Sequence, residues 1–121
     1  MTKLDRFYPI FDTTEWFERL MPLGIKLVQL RSKDLSPAET RKEIKRAKSI
    51  CEQFDAQLIV NDYWEIAIDE GCNYIHLGQE DLDEADIEAI QKAELKLGVS
   101  THDLDELQRG LTFRPDYIAL G

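Results

Sequence analysis

The sequence predicts an α/β fold built on a parallel sheet. Six short runs rich in Val, Ile and Leu recur along the chain, helix-like segments stand between them, and five of the runs carry two aliphatics spaced two residues apart. Strands that alternate with helices join in parallel, because each helix carries the chain back over the sheet before the next strand begins.

The first run is "FYPIF" at 7–11, followed by a helical segment whose Trp16 and Phe17 are read as core packing. "KLVQLR" at 26–31 is the second. After it, "SPAE" opens the longest helix: Ser36 caps, Pro37 suits the first helical position, and Glu39 completes a capping box. Ile44, Ala47, Cys51 and Phe54 then share one face at helical spacing. The third run, "QLIVND" at 57–62, leads into "YWEIAIDEG", a helix ended by Gly71. Trp64 in that helix, like Phe54, is read as packing. "YIHLG" at 74–78 precedes a helix predicted over 83–93, "DEADIEAIQKA". "LKLGVS" at 95–100 precedes "DLDELQRG", a helix ended by Gly110, and "DYIALG" at 116–121 is the sixth run.

Parity separates two faces. Val28/Leu30, Leu58/Val60, Ile75/Leu77, Leu97/Val99 and Ile118/Leu120 are the aliphatic pairs that covering helices require. On the opposite parity stand Tyr8, Gln29 with Arg31, Asn61, His76, and Ser100 beside Gly98. An open sheet with helices on both faces needs both faces apolar, whereas a closed barrel holds polar groups in its mouth. A (β/α) barrel is therefore expected.

At 43% hydrophobic and 32% charged, 121 residues suffice for one core and a single domain spanning 1–121. Fifteen Lys and Arg against 24 Asp and Glu give −9, which repels phosphate backbones and anionic membranes, so neither nucleic acid nor membrane is an expected partner. No run approaches the roughly 20 apolar residues of a membrane span. "MTKLDRFYPIFD" lacks a secretory signal's apolar stretch, and a cytoplasmic protein is expected. Cys51 and Cys72 have no metal-site spacing and are read as reduced packing residues.

Gln29, Arg31 and Lys33 set two cations beside an amide in an acidic chain, a combination suited to a phosphate or diphosphate. A solvated loop start with a Lys33–Asp34 pair is the equal alternative. Asn61 and Asp62 end the third run, and Gln79, Glu80 and Asp81 follow the fourth. Asp62 and Asp81 offer hard oxygens to a divalent cation of the Mg²⁺ kind, which takes one or two carboxylates and completes its shell with water and phosphate oxygens. Asp83 is read as the cap of the next helix, leaving Asp81 for the cation. His76 alone reads as a satisfied interior histidine, and Ser100 as a hydroxyl donor to phosphate without the spacing of an activated nucleophile.

The stretches "VQLRSK", "LIVNDYWEIAIDEGCNYIHLGQEDL", "LKLGVSTHDLDEL" and "PDYIALG", in this order and spacing, closely resemble thiamine phosphate synthase, from about Tyr8 to Gly121. The resemblance implies a TIM barrel and a transferase of thiamine biosynthesis. That enzyme joins 4-amino-5-hydroxymethyl-2-methylpyrimidine diphosphate to the phosphorylated thiazole and releases pyrophosphate. It implies that Gln29, Arg31 and Lys33 hold the pyrimidine diphosphate, Asn61 contacts the diphosphate, Asp62 and Asp81 ligate Mg²⁺, and Ser100 lies near the substrate. Tyr8 and His76 would line the pyrimidine pocket, and Arg31, Lys33 and Ser100 would act in catalysis. The family's Arg after the "ND" pair is Tyr63 here.

Because the chain ends at the sixth of eight expected βα units, an incomplete barrel is expected, with open edges that invite self-association into a homo-oligomer. Two rival readings follow: an inactive fragment that binds ligand or self-associates, and the related thiazole tautomerase, whose rim histidine His102 would mimic.

Overall fold

The structure, a computed structural model, describes residues 4–121; Met1–Lys3 of the amino-terminal stretch lie outside it. Two compact units divide the chain, one ending at Asn61 and the other comprising Asp62–Gly121.

The first unit holds β1 (Ile10–Phe11), α1 (Thr14–Leu20), a 3₁₀ turn (Met21–Leu23), β2 (Leu27–Leu30), α2 (Pro37–Gln53) and β3 (Gln57–Asn61). Its strands are parallel, with Ile10 opposite Gln29 and Gln29 opposite Ile59. The predicted capping box starts α2: the Glu39 N–H donates to Ser36 Oγ at 3.1 Å, and the Ser36 N–H donates to Glu39 Oε1 at 3.3 Å. Ile44, Ala47 and Cys51 are buried and Phe54 is half-buried, so the face predicted from spacing packs inward.

Trp16 departs from its expected place. Phe17 is fully buried, and the neighbouring position on a helix points about 100° away. Trp16 is accordingly 44% exposed, stacked on Phe11 with ring centroids 6.1 Å apart and covered by the Arg19 guanidinium at 5.5 Å.

The second unit holds α3 (Trp64–Asp69), β4 (Tyr74–Leu77), α4 (Gln79–Glu84), α5 (Ile87–Lys92), β5 (Lys96–Thr101), α6 (Leu104–Thr112) and β6 (Tyr117–Leu120). Its strands are also parallel, with His76 opposite Gly98 and Gly98 opposite Tyr117. Gly71 follows α3 in the left-handed region at φ 72°, as a helix-ending glycine should.

Two helix boundaries differ from expectation. The single helix over 83–93 is two short ones, because Ala85 turns extended and the Asp86 side chain caps α5 through the Ala89 N–H at 3.1 Å. Gly110 lies inside α6 and does not end it. A Cβ there would stand 3.4 Å from Val99 Cγ1, an ordinary contact, and α6 runs on to Thr112.

The aliphatic pairs at 28/30, 58/60, 75/77 and 97/99 are all buried. The fifth pair is not, since Ile118 is half-buried and Leu120 is 78% exposed. Strand and helix alternate through six parallel strands, the α/β class of the TIM-barrel family. Among the described residues no helix is long and apolar enough to cross a membrane.

Candidate functional site

In the first unit, Gln29 is 2% exposed and bonded at both ends of its amide. Its Nε2 donates to the Tyr8 hydroxyl at 2.7 Å, and its Oε1 accepts from Asn61 Nδ2 at 3.0 Å. A buried amide engaged at both its nitrogen and its oxygen is held in place. Tyr8, Gln29 and Asn61 thus form one ordered chain, as their shared parity predicts.

β2 ends at Leu30, and the alternation does not carry Arg31 and Lys33 into the interior with Gln29. Both are exposed, on a turn tied to β1 by the Arg31 N–H donating to the Phe11 carbonyl at 2.8 Å and by Ser32 Oγ donating to the Asp12 carbonyl at 3.3 Å. They line a cleft of about 1070 Å³ together with Lys42 and Arg46 and with the carboxylates of Asp12, Asp34, Glu39 and Glu43. Neither cation's side chain is hydrogen-bonded or ion-paired among the described residues, and the local Lys33–Asp34 pair does not form. Unpartnered cations in a cleft are poised for an anion.

In the second unit, His76 is 5% exposed. Its Nε2 lies 2.5 Å from Ser100 Oγ and its Nδ1 2.5 Å from the Tyr117 hydroxyl, with the two rings stacked at 5.5 Å. Gln79 Nε2 donates to the Ser100 carbonyl at 2.9 Å, and Gln79 Oε1 accepts from Arg109 at 3.1 Å. The sequence reading singled out neither Tyr117 nor Arg109; the pairing of a small Gly98 between His76 and Tyr117 is the signal, and it needs the strand register to be read.

Asp62 sits where the chain leaves β3. It takes φ 61°, and Tyr63 after it takes φ 29°, two successive non-glycine residues in a region that is strained for a bulky side chain. The Asp62 N–H donates to the His76 carbonyl at 2.9 Å, fixing this corner to β4. Burial raises the Asp62 pKa above its ordinary 3.8, and the charge of Asp81 raises it further, with Glu84 adding to the effect and the Tyr63 backbone opposing it.

Asp81, not Asp83, reaches back from the third position of α4 to its start: its Oδ2 accepts from the N–H of the N-cap residue Gly78 at 2.9 Å. Asp83 instead pairs with Arg109. One oxygen of Asp81 is engaged in the cap, and a carboxylate has a second. Among the described residues no group of three or more His, Cys, Asp or Glu could hold a metal. The donor set is two mutually repelling carboxylates, both half-buried, which fits a hard divalent cation that draws its remaining ligands from water and phosphate.

A family model described as thiamine monophosphate synthase matches residues 7–121. The thiamine-phosphate synthase of Rhizobium etli is 60% identical over 119 residues, covering 98% of this chain and 58% of that protein. That of Serratia proteamaculans is 48% identical over 114 residues, covering 94% and 54%. Among solved structures, a thiamine phosphate pyrophosphorylase from Pyrococcus furiosus matches with TM-score 0.82 at 24% identity, over 94% of this chain and 58% of that one, and shares its fold. The chain spans about half the length of the curated relatives it matches.

Proposed function

The chain belongs to the thiamine monophosphate synthase family, and from that membership we propose that it carries the pyrimidine diphosphate and Mg²⁺ determinants of a thiamine phosphate synthase. The reaction joins 4-amino-5-hydroxymethyl-2-methylpyrimidine diphosphate to 4-methyl-5-(2-phosphoethyl)thiazole or its carboxylated form. The bond from the pyrimidine methylene to the bridging oxygen breaks, and its electron pair leaves with pyrophosphate. The thiazole nitrogen then donates its lone pair to the methylene cation, giving thiamine phosphate, and the carboxylated thiazole additionally loses its carboxylate as CO₂.

The observation that carries this reading is the pair of unpartnered cations, Arg31 and Lys33, in a cleft of an otherwise acidic chain. Arg31 offers a planar fork to phosphate oxygens and Lys33 a mobile charge, and both stabilise negative charge as it builds on the leaving group. Asn61 and Gln29 contribute an ordered amide chain toward the substrate, with Tyr8 at its end. Asp62 and Asp81 would hold Mg²⁺, which supplies Lewis-acid neutralisation of the departing pyrophosphate. Ser100, held by His76, supplies a hydroxyl near the substrate, and no side-chain nucleophile is needed.

The tautomerase alternative rests on His102, which is exposed and held by Glu106: the carboxylate accepts from its backbone N–H at 2.8 Å and lies 3.0 Å from its Nδ1. That engagement is a helix-start contact and supports no catalytic part.

The test is pyrophosphate release by the purified 121-residue chain from both substrates and Mg²⁺, with Asp81→Ala as control. Release that disappears in the control supports the reading. Release that survives it contradicts the metal assignment, and no release at all removes the activity from this chain.

A further inference from the structure

Three strands of the second unit place one residue each in a single cross-strand row: His76 on β4, Gly98 on β5 and Tyr117 on β6. A Cβ at Gly98 would stand 2.0 Å from the Tyr117 ring, a distance no side chain tolerates. The glycine therefore gives the phenol its path across β5 to the imidazole, where the rings stack and the hydroxyl meets Nδ1. Two residues further along β5, on the same face, Ser100 Oγ meets Nε2.

The geometry points to Tyr117 as a positioning residue that sets the tautomer of His76 and thereby makes Ser100 a hydrogen-bond donor to its ligand. A neutral imidazole has one N–H and one lone pair. If Tyr117 donates to Nδ1, the ring proton sits on Nε2 and is given to Ser100 Oγ, so the serine hydroxyl hydrogen is left to point at another acceptor. If the ring proton sits on Nδ1, Ser100 must donate into Nε2 and has only lone pairs left to offer. Phenol, titrating near 10, is the stronger acid and better donor of the two hydroxyls, and its oxygen is the poorer acceptor because its lone pair is shared with the ring. The first arrangement follows, and it suits an anionic oxygen acceptor. Only the identity of that acceptor as a substrate oxygen rests on the function proposed above.

The experiment is ¹⁵N spectroscopy of the histidine rings in the ligand-free 121-residue chain at about pH 8, above the ordinary histidine value of roughly 6.5. The chain has two histidines, and His102→Gln assigns the spectrum. The expected result is a single tautomer of His76, with Nδ1 pyridine-like and Nε2 pyrrole-like, unchanged in Ser100→Ala and lost to an averaged pair of shifts in Tyr117→Phe. A pyrrole-like Nδ1 in the parent chain, a tautomer that switches in Ser100→Ala, or a folded Tyr117→Phe with unaltered shifts would each overturn the assignment. Should Tyr117→Phe fail to fold, the parent chain and Ser100→Ala still decide it. No substrate enters the experiment, so a failure of turnover and a failure of this relay remain separate results.

Discussion

Each half of the chain threads a hydrogen-bond chain through its inner side chains to a tyrosine hydroxyl, but the two are built from different chemistry. The first unit uses amides, Asn61 to Gln29 to Tyr8, whose donors and acceptors are fixed by covalent structure. The second uses an imidazole, Ser100 to His76 to Tyr117, whose donor and acceptor ends exchange when one proton moves. Charge is divided along the same line. The first unit holds cations at Arg31 and Lys33 that are unpartnered among the described residues, whereas the second crowds Asp62 with Asp81 and Glu84. An amide chain provides a rigid frame beside anion-binding groups, and an imidazole chain provides a frame whose polarity its neighbours can set.

The comparison breaks most visibly at the glycine that the second unit depends on. Gly98→Ala forces the Tyr117 ring off β5, and is expected to lower stability by about 3 kcal/mol, at the upper end of overpacking costs, as read by denaturant melts. Gln29→Leu, the matching cut in the first unit, takes an acceptor from Asn61 and a donor from Tyr8, and is expected to cost roughly 2 kcal/mol in the same assay. A smaller cost for the glycine change than for the glutamine change would mean the tyrosine seat is loose.

The division of charge is sharpened by titrating inorganic pyrophosphate. Arg31→Ala removes a charge-assisted contact and is expected to weaken binding by roughly 10- to 100-fold, while Ser100→Ala, which removes a neutral one, should cost less than about 10-fold. Equal losses would contradict the assignment of the anion to Arg31 and Lys33.

The smallest expected effect has an informative sign. Because the folded-state pKa of Asp62 is raised, the folded chain holds its proton more tightly than the unfolded chain, and stability falls as pH rises from 3.8 through the raised value. Asp62→Asn should therefore raise the melting temperature near neutral pH, with the advantage vanishing below about pH 3.8. A variant less stable at neutral pH would mean that the ionised carboxylate is favourably bonded in the folded chain.

Much of this was readable from local pattern. The six strands, the Ser36–Glu39 capping box and the burial of four of the five aliphatic pairs depend on residues within a few positions of one another, where alternation and capping act. The second unit was harder to read. Helices as short as Gln79–Glu84 and Ile87–Lys92 contain too few turns to show a period, so the break at Ala85 was hidden. Which carboxylate caps α4 depends on where that helix starts, and Asp83 finds its partner in Arg109, 26 residues away. Trp16 exposes its ring because its neighbour Phe17 takes the core, a choice that aromatic composition does not encode. Tyr117 becomes visible only when register sets Gly98 between it and His76.

The most direct test of the divided account is calorimetric titration of pyrophosphate into the parent chain, Arg31→Ala and Asp81→Ala, each with and without Mg²⁺. The account predicts that Arg31→Ala weakens binding in both conditions, whereas Asp81→Ala erases only the gain that Mg²⁺ brings. An Asp81→Ala chain that keeps the full Mg²⁺ dependence would contradict it.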